Sequence, residues 1–337
     1  MSGAEPTSPR EPTEDLEAVA RALAGGAVVG FPTETVYGLG ASVRRPEAAA
    51  QIFALKSRPA TLPLMLHVAS AEAFDAFAQD VPEAARRLAE HFWPGPLTLI
   101  VPARPEIDRR ILGGGDSVGL RAPDHPRCAA LVEALGRLEG GCGAIAGTSG
   151  NRHAHLPATA ASEVCEQFSA DEVPAVLEGG PCSVGVESTV LRVLASEGGR
   201  VRLEILREGA ISREALEAVA APWLDGEIAL AGVESRGRGR LRAVEAEALG
   251  QLEFREGDAL FAPADLLASF GVHAPALHLR EMPADPAVFA PRLYAELRAL
   301  ENAAPGRLFA VLPSAGAGEL AAALRARLIR LSSRDED

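Results

Sequence analysis

The chain alternates between two kinds of segment, and that alternation limits what it can fold into. Short apolar runs, GGAVVGF (25–31), LMLHV (64–68), LTLIV (97–101), SVGLR (117–121), GAIA (143–146) and STVLRV (188–193), have the length and flanking turn residues of strands. Helix-like stretches lie before or between many of them: residues 14–23, EAAAQIFALK (47–56), PEAARRLAEHF (82–92), PRCAALVEALG (126–136) and PATAASEVCEQF (157–168). Strands this short bury their faces only within a sheet covered by helices, so the pattern predicts an α/β domain. It runs to about residue 221, closed by a helix that Ser212 caps. Residues 222–250, rich in Gly, Arg and Glu, read as a linker. After it ALFA (259–262), PALHLR (275–280) and RLFAVLP (307–313) alternate with PRLYAELRALENA (291–303) and ELAAALRARLIRL (319–331). The expected division is a disordered N-terminus (1–12), a catalytic α/β domain (13–221), the linker (222–250) and a small α/β domain (251–333).

Composition narrows the function. A formal net charge of −13 disfavours a surface that grips nucleic acid through its phosphates, so no strong direct binding of that kind is expected. The local exception, RGRGRLR (236–242), reads as a solvated linker. No apolar run approaches the roughly 20 residues of a membrane span, and the first residues are acidic and Pro-rich, so a cytoplasmic protein is expected. The four cysteines form no CxxC pair, which favours reduced thiols.

Lys56 is the only lysine among 33 lysines and arginines. It closes a helix-like stretch just before Ser57, Arg58 and Pro59. A helix C-terminus is served equally well by arginine, so the lone ammonium points to a specific need. A point charge and a guanidinium fork two residues apart suit a polyphosphate. FPTETVYGLGA (31–41) gathers Thr33, Glu34, Thr35 and Tyr37 just past a strand, where open α/β sheets bind ligands. His67 sits in an apolar strand and by itself reads as a core residue. Arg121 ends a strand and suits a carboxylate or phosphate, and AGTSGN (146–151) is a small-residue loop of the kind that cradles anions. GGPCSVGVEST (179–189) adds Glu187, Ser188 and Thr189. P-loop, dinucleotide and HExxH signatures are missing.

Seven segments in order, FPTETVYGLGA, KSRP with PLMLH, FWPGPLTLIVP, LRAPDHP, SGN, GGPCSVGVESTVL and ILREGAIS, resemble the YrdC family, in the long two-domain form of its threonylcarbamoyl-AMP synthases. The resemblance implies a YrdC-like twisted open sheet with flanking helices, then a linker and a smaller Rossmann-like α/β domain. It implies a nucleotidyltransferase that makes L-threonylcarbamoyl-AMP from L-threonine, bicarbonate and ATP, releasing pyrophosphate, as the first step of threonylcarbamoyladenosine modification of tRNA. Downstream tRNA threonylcarbamoyltransferase machinery would be its partner. Lys56 and Arg58 would be catalytic and hold the ATP phosphates, with Ser117, Ser149, Asn151 and Arg207 also on ATP. Thr35, Tyr37, His67, Arg121, Gly147 and Ser188 would surround L-threonine. Mg²⁺ would arrive with the triphosphate, without a dedicated protein metal cage. The chain departs from the family at Leu62, commonly asparagine, at the Gly147–Asn151 loop, at Pro157 and in a linker that lacks a tyrosine. Either RGRGRLR takes over the contact of that tyrosine-bearing lid with the nucleotide, or the lid is weakened and ATP binds less tightly. The alternative is a degenerate paralogue acting on another carbamate, or binding RNA without turnover.

Overall fold

The computed structural model describes residues 10–153, 155–231, 240–270, 277–314 and 316–332. Their strands form two sheets. The larger is mixed and contains β1 (Val29–Phe31), β2 (Gly38–Ser42), β3 (Met65–His67), β4 (Leu97–Pro102), β5 (Ser117–Arg121), β6 (Ile145–Ser149), β7 (Ala175–Val176), β8 (Thr189–Ala195), β9 (Val201–Arg207) and β10 (Ala229–Leu230). Their spatial order is β10-β9-β8-β4-β5-β3-β6-β2-β1-β7. The smaller sheet is wholly parallel, with β11 (Leu241–Val244), β12 (Ala259–Ala262), β13 (His278–Glu281) and β14 (Leu308–Val311) in the order β11-β14-β12-β13. This is the expected α/β architecture with a second, smaller α/β region.

Three stretches differ from the sequence reading. Residues 38–42, given no element in the sequence reading, form a strand antiparallel to β1. Glycine has poor strand propensity, but the ring of Phe31 lies so close to Gly38 and Gly40 that an added Cβ would sit 2.4 Å and 2.7 Å from it. The small-residue segment Gly147–Ser149 is also strand, paired with β2 from Gly38↔Ser149 to Gly40↔Gly147. The stretch read as linker adds a strand to each sheet, β10 beside β9 and β11 beside β14. Residues 232–239, which hold most of RGRGRLR, lie outside the described residues, as do residues 1–9 of the N-terminus. Arg240 donates to the carbonyls of Glu301, Ala304 and Gly306, closing the end of the helix Leu293–Ala303. Ser212 caps the helix Arg213–Ala220 through the Ala215 amide, as its sequence position suggests.

The small sheet packs its core directly onto the large one. Val36 and Val186, from loops of the large sheet, are buried in one cluster with Phe261, Phe289, Leu293 and Tyr294. Gly185 has φ +71°, and an added Cβ would stand 2.2 Å from the Ala290 carbonyl, so this loop needs glycine for both conformation and approach. The two α/β units therefore meet at the loop that carries Glu187 and Ser188.

Candidate active site

The helix Pro46–Leu55 ends at Lys56 as cap, and Ser57 turns left-handed at φ +46°. That turn sends the two cations of LysxArg apart. Lys56 is buried, and its Nζ donates to the Ser149 carbonyl at 2.6 Å and to the Asn151 carbonyl. Arg58 instead lines a cleft, with its donors on the carbonyls of Leu62 and Pro63. Leu62 itself is 46% exposed. Burial, with the Arg58 charge adding to it, brings the Lys56 ammonium down to about 7.

The cleft has a cavity volume of about 170 Å³, below the roughly 300–1,000 Å³ of drug-sized ligand pockets. Of the residues singled out in the sequence, Thr35, Tyr37, Arg58, His67, Arg121, Gly147, Ser149, Ser188 and Arg207 line it together. Lys56 and Asn151 lie behind Ser149 and do not line it. Ser117 stands apart, exposed at the start of β5, about 13 Å along the strand from Arg121. The Tyr37 hydroxyl is committed elsewhere, donating to the Gly180 carbonyl and accepting from the Gly179 amide.

Strand pairing explains one end of the cleft. In the parallel pair β3–β5, His67 stands opposite Arg121 at the carboxyl ends. Arg121 is 4% exposed; its Nε donates to the Gly95 carbonyl, one terminal nitrogen donates to Thr35 Oγ1 at 2.9 Å, and the other is 2.6 Å from Glu34 Oε2. The Glu34 oxygens and that nitrogen lack an aligned hydrogen bond, so charge holds the pair while hydrogen-bonding capacity remains. His67 Nδ1 lies 3.3 Å from the Ile145 carbonyl, which makes it the protonated nitrogen and leaves Nε2 an acceptor.

Burial, reinforced by Arg121, holds His67 down to about 3. The folded value lies below the unfolded one, so between pH 3 and 6.5 the unfolded chain binds the extra proton and stability falls as pH falls. Urea unfolding of the wild type should therefore lose up to one proton's worth, about 1.4 kcal/mol per pH unit, across that window. A His67→Gln protein should show a correspondingly shallower slope, and an unchanged slope would refute the assignment.

The charges at the other end are sorted differently. Glu187 is paired with Arg327 at 2.7 Å, whereas Arg58 and Arg207 have no described carboxylate within ion-pair distance. Arg207 clamps Ser188, donating from Nε to its carbonyl and from a terminal nitrogen to its hydroxyl at 2.8 Å, and Ser188 in turn meets Thr98 Oγ1 at 2.9 Å. Burial brings Arg207 down to about 10 and also lowers Arg58. Two half-desolvated guanidiniums with no directly ion-paired carboxylate among the described residues, beside hydroxyls and the β6 backbone, make an anion site. Glu34 was noted in the sequence only as a nearby carboxylate, and the support of Glu187 by Tyr294 and Arg327 was missed. Those contacts join residues 107 positions or more apart and leave no local pattern.

The family model Sua5_yciO_yrdC, described as telomere recombination, matches residues 21–209. A curated threonylcarbamoyl-AMP synthase of Pyrococcus abyssi is 40% identical over 194 residues, 58% of this chain and 54% of the relative. One from Alkalilimnicola ehrlichii is 37% identical over 178 residues, 52% of this chain and 88% of that protein. The match thus spans about half the length of the Pyrococcus abyssi relative and of a Bacillus subtilis one. A crystal structure of Pyrococcus abyssi Sua5 complexed with L-threonine superposes with a TM-score of 0.74 at 30% identity, covering 94% of each chain. Escherichia coli YciO, at 22% identity and a TM-score of 0.52, shares the fold over 62% of this chain and 96% of its own.

Proposed function

This chain belongs to the Sua5/YciO/YrdC family, and on that premise we propose that it is a nucleotidyltransferase that joins L-threonine, bicarbonate and ATP into threonylcarbamoyl-AMP with release of pyrophosphate. The observation that carries the reading is the sorting of charge along one cleft. At one end Arg121 is balanced by Glu34 and flanked by Thr35 and the acceptor nitrogen of His67, a setting for a small zwitterion with a hydroxyl. At the other end Arg58 and Arg207 have no directly ion-paired carboxylate among the described residues, a setting for a polyphosphate. That Sua5 of Pyrococcus abyssi has been crystallised with L-threonine supports that amino acid as a substrate by similarity.

In this reading the amine of L-threonine combines with bicarbonate to give a carbamate and water. A carbamate oxygen then attacks the α-phosphorus, and the bond to pyrophosphate breaks. Arg58 and Arg207 would hold the phosphates and stabilise the charge that gathers on the leaving group, which is positioning and electrostatics more than covalent catalysis. Lys56 would fix the Ser149–Asn151 edge of the cleft. The carboxylates beside the cleft, Glu34 and Glu187, are both committed to arginines. That donor set fits a Mg²⁺ ion carried by the triphosphate and water better than one held by the protein.

The product would pass to a transferase acting on tRNA, and the work is proposed to take place in the cytoplasm. Among the described residues no helix is long and apolar enough to cross a membrane, and all four cysteines are free. The expected lid role of RGRGRLR falls largely outside the described residues, and Arg240 within it serves the helix end noted above. Mass spectrometry of an incubation with ATP, Mg²⁺, bicarbonate and L-threonine should detect threonylcarbamoyl-adenylate. Formation of AMP without that species would refute the proposal.

A further inference from the structure

Glu187 has a carboxylate in the cleft wall whose hydrogen-bonded and ion-paired side chains, among the described residues, come from the small unit. Tyr294 is fully buried and donates its hydroxyl to Oε2 at 2.6 Å. Arg327, from the helix Glu319–Leu331, pairs with Oε1 at 2.7 Å and also donates to the Tyr294 hydroxyl. Glu187 is itself only 8% exposed. A carboxylate this deep is held ionised only by partners, and although burial opposes it, Arg327, Arg207 and the Tyr294 hydroxyl keep its carboxyl below the usual range.

The chain neighbour of Glu187 is Ser188, the residue that Arg207 clamps with two donors. Arg207 thus lies within one residue of a buried carboxylate and is not ion-paired to it. Without Arg327 and Tyr294, Glu187 would be an uncompensated buried anion, and Arg207 is a cation in the same cleft wall with donors to spare. Pairing between them would undo the Ser188 clamp and cancel one of the two charges that face the cleft.

We propose that Tyr294 and Arg327 are positioning residues for the nucleotide: by occupying both oxygens of Glu187 they keep Arg207 free to meet a phosphate. The small unit thereby serves the reaction without touching substrate. The proposal rests on the reading of this cleft as a site for ATP and L-threonine.

The test is calorimetric binding of Mg-ATP, inorganic pyrophosphate and L-threonine, separately, to the full-length protein and its variants, with urea unfolding in parallel. Arg327→Met should weaken ATP and pyrophosphate about tenfold while L-threonine stays within about twofold. Tyr294→Phe, which removes one hydrogen bond and keeps the ring, should weaken ATP about threefold and remain folded. The Glu187→Gln/Arg327→Met protein should recover most of the ATP affinity, because a neutral amide no longer competes for Arg207. Equal losses for both ligands that track the urea midpoint would make the contact merely structural and overturn the proposal, as would unchanged ATP binding in Arg327→Met. Wild-type protein that binds L-threonine but neither ATP nor pyrophosphate would overturn the reading of the cleft, and the inference with it.

Discussion

Replacing Arg121 by methionine should cost about 3–5 kcal/mol of stability, because it leaves Glu34 charged and alone in the interior. Glu34 is 2% exposed, and Arg121 is its one ion-pair partner among the described residues. The same change removes the donor to Thr35 and the cation beside His67, so binding of L-threonine should be lost as well. Stability and binding can be separated. In the Glu34→Gln/Arg121→Met protein neither charge of this pair remains, so most of the stability should return while L-threonine binding does not. Urea unfolding and calorimetry on the pair of variants measure the two effects. If the single variant were as stable as wild type, the Glu34–Arg121 pair would have no part in holding this end of the cleft.

The second large effect is expected at Lys56. Arginine keeps the charge, but its planar fork is larger than the ammonium that sits between the Ser149 and Asn151 carbonyls. Overpacking there should cost roughly 1–3 kcal/mol, within reach of a domain that still folds. Turnover should suffer more. The cleft edge at Ser149 is set by that ammonium, and misplacing preorganised groups of this kind typically costs roughly 10²-fold or more. A Lys56→Arg protein should therefore release pyrophosphate about a hundredfold more slowly while its urea midpoint moves modestly. Full activity would reduce Lys56 to a helix-end charge that arginine can replace.

Much of this was legible in the residues. SVGLR is strand β5 end to end, ALFA is β12, and ELAAALRARLIRL is the last helix, because each has the periodicity and the flanking turns of its element. Strands β2 and the end of β6 were hidden by glycine, whose value there comes from the Phe31 ring packed on them, a tertiary fact. Strands β10 and β11 were hidden by charge, since each is short and borrows its partner from a sheet built elsewhere. In the site, hydroxyls and cations next to strand ends pointed to the cleft. Chain position could not show that Lys56 faces backbone carbonyls and Arg58 the cleft, because the left-handed turn at Ser57 divides them. Nor could it show that Glu187 is held from the other unit, a contact made only when two cores meet at Val36 and Val186.

The most direct test of the central claim is pyrophosphate release by the purified protein with ATP and Mg²⁺, leaving out L-threonine and bicarbonate in turn. Release that requires both is the predicted result, because Arg58 and Arg207 then serve a leaving group whose departure waits for the carbamate. Binding of ATP with no stimulation of release by either substrate would contradict it.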